Sequence, residues 1–167
     1  VIPEENEGAD TPDMPEIAPV EEPEDEGEDG DEEETILFVT EGGDCLNAKK
    51  DDIPTQGRVA GGVRGIMLRE GDFVKFVSQT DGEGEIVVAT SEGKFKKVIT
   101  SLIDPMTRYK KGSMIVSMPD GEKVLCASPV TVPYSMAVVI KGGNVSELST
   151  EEIPIAVQSA KARKVRY

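Results

Sequence analysis

An internal repeat of 50 residues constrains this chain more than any other feature. Three segments align without a gap: ILFVTEGGDCLNAKKDDIPTQGRVAGG from Ile36, IVVATSEGKFKKVITSLIDPMTRYKKG from Ile86, and MAVVIKGGNVSELSTEEIPIAVQSAKA from Met136. Gly43, Gly93 and Gly143 coincide, as do Ile53, Ile103 and Ile153; Arg58 falls on Arg108 and Gly62 on Gly112. A period of this length marks a supersecondary unit that cannot bury both of its faces alone and must stack on its neighbours.

Each unit reads as strands. A short run rich in Ile and Val opens it, a Gly-containing turn follows at Gly42-Gly43, Gly93 or Gly142-Gly143, and a second strand leaves that turn. About a dozen irregular residues come next. Two further strands are predicted at 63–68 and 73–77 in the first repeat and at 113–118 and 123–127 in the second. Their turns are Arg69-Glu70-Gly71-Asp72 and Pro119-Asp120-Gly121-Glu122. No segment of 35–167 sustains a 3.6-residue apolar period. Ser149-Thr150-Glu151-Glu152 has the form of a capping box, but its position before Ile153-Pro154 in the repeat argues for a turn. Four antiparallel strands per repeat is the arithmetic of a propeller blade. The expected fold is therefore all-β and propeller-like, with about 2.5–3 blades. The third repeat stops 32 residues in, so the chain is expected to be a piece of a longer wheel or an open arc.

Charge divides the chain in two. Residues 1–34 hold 17 of the 33 acidic residues and no Lys or Arg. The other 16 share residues 35–167 with all 18 basic residues, a net of +2. The leader scatters its few apolar residues and carries Pro3, Pro12, Pro15, Pro19 and Pro23. It has too little to bury to offset its ordering entropy, and a disordered acidic segment is expected over 1–34, with blades over 35–167. Cys45 and Cys126 form no CxxC pair and the chain has no His. Zinc is therefore not indicated, and free buried thiols in a reducing cytosol are expected. Neither a signal peptide nor an apolar run of membrane-spanning length is present, which gives a cytoplasmic expectation.

Residues 57–74 read GRVAGGVRGIMLREGDFV. They resemble the GR-x-x-x-GVRGI-x-L-x-x-GD-x-V signature of the C-terminal domains of gyrase A and its topoisomerase IV counterpart. Ile36 to Gly43 is similar to that family's opening ILFVT-x-x-G strand. The resemblance covers 35–167 and weakens toward the third repeat, where Gln158 and Ala162 replace Arg and Gly. It implies a β-pinwheel that exchanges strands between adjacent blades and wraps duplex DNA on a basic rim. It also implies a parent type IIA DNA topoisomerase, ATP- and Mg-dependent and nucleoid-associated, with no cofactor held in this segment. The implied partners are duplex DNA, the cleavage core of the same polypeptide and a gyrase-B-like ATPase. The Q-R-R-G-G-K-G box of gyrases is absent as written. Gln56-Gly57-Arg58 with Gly61-Gly62 only echoes it, so gyrase-type and topoisomerase IV-type activity stay undivided.

Wrapping duplex DNA is mostly phosphate neutralisation and needs Lys and Arg on a shared rim. The candidates are Lys49, Lys50, Arg58 and Arg64 in the first repeat, and Lys94, Lys96, Lys97, Arg108, Lys110 and Lys111 in the second. The competing reading is of solvated charges that protect strand edges. Gly61, Gly62 and Gly65 either admit phosphate to the backbone or permit close packing. Lys161, Arg163, Lys164 and Arg166 read as a basic tail, either a phosphate grip or a solubilising end. The acidic leader is either a linker or a competitor for the rim.

Catalysis has no support. A His-dependent triad is excluded, and Tyr109, Tyr134 and Tyr167 do not lie in the context of the family's strand-cleaving tyrosine. The expected role is a DNA-binding accessory domain that sets topological preference. The alternative is a protein-interaction or architectural module with an acidic regulatory tail.

Overall fold

The computed structural model describes residues 34–167. The expectation for the acidic leader falls on residues outside the described ones, apart from Glu34. Glu34 Oε2 accepts from Lys50 Nζ, and its Oε1 accepts from Gln79 Nε2 at 2.7 Å.

Eleven short strands are present: β1 (Thr35–Thr40), β2 (Asp44–Lys49), β3 (Val74–Thr80), β4 (Glu85–Thr90), β5 (Lys94–Ile99), β6 (Pro105–Met106), β7 (Ser113–Met114), β8 (Val124–Val130), β9 (Ser135–Val139), β10 (Val145–Ser149) and β11 (Arg163–Lys164). Each repeat opens with an antiparallel hairpin, β1–β2, β4–β5 or β9–β10. The turn needs a left-handed residue, and Gly43, Gly93 and Gly143 supply it at φ +84°, +65° and +88°. A single 3₁₀ turn follows each hairpin, at Lys50–Asp52, Thr100–Leu102 and Thr150–Glu152. The last keeps a cap, Ser149 Oγ accepting from Glu151 N at 3.2 Å, but runs no further, so the turn reading of that motif stands.

Blade 1 has the strand order β3-β1-β2, with β6 and β7 both on the far edge of β2. Blade 2 has the order β8-β4-β5-β11. The outer strands come from the next repeat along the chain. Residues 104–116 complete blade 1, and residues 154–166 complete blade 2; we call these segments arms. Each arm runs first parallel to its acceptor, with Asn47 opposite Pro105 and Lys97 bridged to Ile155. It then turns back antiparallel, with Cys45 opposite Ser113 and Phe95 opposite Arg163. The strands predicted at 63–68 and 113–118 thus differ from what forms. Residues 63–68 make no strand, only 113–114 does in the second stretch, and neither pairs with the strand after its turn. The turns themselves are present, with Asp72 N donating to Arg69 O at 3.1 Å and Glu122 N to Pro119 O at 3.1 Å.

Alternation along the strands distributes the core. On β4, Ile86 and Val88 face a cluster shared with Leu37, Val39, Ile103, Ile115 and Val124 of the blade 1 side. Val87 and Ala89 face a second cluster with Phe95, Leu148 and Ile153 toward the third repeat. Blade 2 is therefore covered on both faces, which is why its opening run is apolar without interruption. A third cluster, Leu46, Ala48 and Ile66 with Phe38 and Met106, covers the outer face of blade 1. Gly65 belongs to this packing, because a Cβ there would lie 2.7 Å from Phe38 Cζ.

Candidate nucleic-acid interface

The rim is assembled from the arms. Strands β3 and β8, at one edge of their blades, pack near each other. The arms occupy the opposite edge of each sheet.

The second arm is fixed by close backbone approach. Gly112 has φ +78°, and a Cβ on it would stand 1.9 Å from the Cys45 carbonyl oxygen. Arg108 adds a tie, its Nε donating to Asp52 O at 2.8 Å and its Nη1 to Arg64 O at 3.2 Å. Tyr109, with φ +58°, donates its backbone N–H to Gly65 O at 2.5 Å. Its hydroxyl accepts from Arg64 Nη1 at 2.7 Å, and the Arg64 guanidinium lies 5.4 Å from its ring centroid.

A buried ammonium fixes the third arm. Lys96, 1% exposed, donates to the carbonyls of Ile115, Val157 and Gln158 at 2.8 Å each and of Ala160 at 3.0 Å. Burial lowers its pKa to about 8, while four carbonyl dipoles aimed at the nitrogen favour keeping the proton. Lys96 is therefore a correction to the expected phosphate contacts: its donors are engaged inside the fold. The matching position in blade 1 is Leu46, also fully buried.

The other predicted cations divide into two groups. Lys97 is buried and paired to Glu85 at 2.7 Å. Lys94 meets Glu122 at 2.7 Å, Lys50 is paired to Glu34, and Arg64 and Arg108 are tied as described. Lys49 is half-buried at the end of β2. Arg58, Lys110 and Lys111 are exposed and make no side-chain hydrogen bond or ion pair. Among the described residues, the cations of the hairpin tips and inner strands are likewise held by carboxylates. Arg69 meets Asp44 at 2.7 Å, and Lys75 and Lys123 each meet Glu41 at 2.9 Å. Those two lysines, through their hydrogen bonds, hold the Glu41 carboxyl below its ordinary range. The cleft of about 260 Å³ between these tips, lined by Glu41, Arg69, Asp72, Glu122 and Lys123, thus presents cations already neutralised.

Sequence reasoning makes Lys161, Arg163, Lys164 and Arg166 a tail. They belong to the third arm: Arg163 and Lys164 form β11, opposite Phe95 and Lys94, and all four are exposed without a side-chain partner. The 50-residue offset carried the signal, since Lys161 falls on Lys111 and Arg163 on Ser113. Among the described residues, eight cations are free in this sense. Seven lie on arms; the eighth, Lys141, is at a hairpin tip. No group of three or more His, Cys, Asp or Glu there could hold a metal ion, and no helix is long and apolar enough to cross a membrane.

Hairpin blades completed at a basic outer edge by arms from the next repeat define a strand-exchanging propeller module. The family described as DNA gyrase C-terminal domain, beta-propeller, matches residues 34–81 and 84–130. The gyrase A protein of Staphylococcus epidermidis is 29% identical over 123 residues, 72% of this chain and 14% of that protein. Its Escherichia coli counterpart is 32% identical over 89 residues, 53% of this chain and 10% of that protein. The chain thus spans a small part of these relatives. Among solved structures, the C-terminal domain of DNA topoisomerase IV superposes with a TM-score of 0.68 at 20% identity, over 78% of this chain and 40% of that one. The DNA gyrase A C-terminal domain gives 0.66 at 16% identity, over 78% and 43%. The chain belongs to the DNA gyrase C-terminal domain family.

Proposed function

We propose that this chain binds duplex DNA along its arms, as the DNA-binding domain of a gyrase-A-like type IIA topoisomerase polypeptide, and so biases which DNA segment the parent enzyme passes. One observation carries the reading: unneutralised cations are concentrated on the arms, while those of the inner strands and hairpin tips are held by carboxylates. A cation already paired gains little from a phosphate, whereas a free one releases counterions from the duplex. Arg58, Lys110, Lys111, Lys161, Arg163, Lys164 and Arg166 are the contacts this selects. Arg64 and Arg108 position the arms. In this reading the full enzyme adds two partners, the cleavage core and a gyrase-B-like ATPase. ATP and Mg²⁺ serve the chemistry of those parts, in the cytoplasm at the nucleoid.

The test is duplex binding titrated over salt. Neutralising Arg163, Lys164 and Arg166 to Gln is expected to weaken binding. It should also flatten the dependence of log affinity on log salt by roughly 0.9 for each phosphate no longer neutralised. An unchanged slope in a folded triple variant would refute the assignment. Lys97→Gln is expected to leave the slope alone.

A further inference from the structure

The first repeat has an arm too, residues 54–66, and it is docked on no strand. Residues 54–64 are all exposed, Val59 completely. The arm is nevertheless already shaped like its docked counterparts. Gly62 has φ +79° against +78° for Gly112, yet nothing lies within 4 Å of where its Cβ would be. Ala60 N donates to Gly57 O at 3.0 Å, the same turn that Ala160 N and Val157 O make at 3.0 Å in the docked third arm. Its base is held in place by Tyr109 and Arg108.

An acceptor of the right kind is also uncovered. The second strand of each hairpin receives an arm: β2 takes the second and β5 the third. Strand β10 is the third such strand, and among the described residues its only partner is β9. We propose that residues 54–66 of one copy add to the free edge of β10 in a second copy, joining chains head to tail.

The repeat fixes the register. Moving the two observed pairings by 50 or 100 residues sets Thr55 opposite Glu147, Gln56 opposite Leu148, Val63 opposite Val145 and Arg64 opposite Asn144. Val63 and Val145, 37% and 65% exposed, would cover each other where Ser113 Oγ and Cys45 Sγ now lie 3.6 Å apart. Arg58 also gains a partner. Arg108 donates to Asp52 O, and Gln158 Nε2 donates to Leu102 O at 2.7 Å. The corresponding acceptor for Arg58 is the main chain of Glu152, whose side chain is exposed. Because donor and acceptor are different surfaces, the contact is heterologous and propagates as rings or filaments rather than closing as a symmetric pair. The proposal is independent of the DNA reading and is tested without DNA.

The experiment uses residues 1–167 with Cys126→Ser, which removes the exposed native thiol. Adding Val63→Cys and Val145→Cys to one chain should give, on mild oxidation, a ladder of disulfide-linked oligomers. Gly62→Val in that chain should abolish the ladder while leaving the thermal melt cooperative, since its Cβ would strike the acceptor backbone as one on Gly112 would strike Cys45. By sedimentation on the cysteine-free background, Arg58→Glu should weaken association about tenfold, and adding Glu152→Arg should restore it. A folded double-cysteine variant that stays monomeric, that stops at a dimer, or that cross-links equally well with Gly62→Val would overturn the proposal, as would failure of the charge swap to restore association.

Discussion

Gly112→Ala is the sharpest probe of how an arm is held. Two costs combine at that position. The residue sits at φ +78°, where an L side chain costs about 1–2 kcal/mol. Its Cβ would also stand 1.9 Å from the Cys45 carbonyl oxygen and 2.6 Å from its carbon. No rotamer relieves a backbone clash, so the arm must shift, and overpacking of this kind costs about 1–3 kcal/mol or more. The expected destabilisation is about 2–5 kcal/mol. Gly62→Ala is the internal control: same backbone angle, same place in the repeat, open space around it. Only the first cost applies there, about 1–2 kcal/mol. Urea denaturation of both variants isolates the close-approach contribution as their difference. Amide exchange should further show faster opening at Ser113 and Met114 in Gly112→Ala alone, because those residues pair with Cys45 and Asp44. Equal destabilisation by the two substitutions, with equal protection of β7, would refute the reasoning.

Two further predictions concern buried groups. Lys96 has a folded pKa of about 8 against an ordinary 10.5. Above pH 8 the unfolded chain therefore binds more protons at this site than the folded one, and stability contributed by this group rises with pH until about 10.5, by a total of about 3 kcal/mol. Subtracting the pH profile of Lys96→Met from that of the parent isolates this rise; a flat difference would refute it. Cys45 is buried and its thiol pushed up to about 11 by burial, whereas Cys126 is exposed. A thiol reagent at pH 8 should modify one cysteine of the native protein rapidly and the second only on unfolding; two fast thiols would contradict the packing of β2.

The period of 50, the Gly-bearing turns and the alternation of Ile and Val are local properties, and they determined the hairpins, the all-β class and the number of repeats. Even the capping motif at Ser149 was resolved by its place in the repeat. The expectation of free buried thiols is met by Cys45 but not by Cys126, whose strand face at β8 is open. What the sequence alone left open is the pairing of distant segments. Residues 113–118 read as the partner of the strand after them, yet Ser113 and Met114 pair with Cys45 and Asp44 of another repeat, a choice made by the close approach of Gly112. Charge was sorted in the same way. Lys94, Lys96, Lys97, Lys110 and Lys111 look alike in the sequence. Their neighbours in space divide them: Glu122, four carbonyls and Glu85 take the first three, and the last two are left to solvent. Repeat symmetry fixes where a residue lies within its blade, but a cation's availability depends on groups brought beside it from other strands, and only the folded chain decides those.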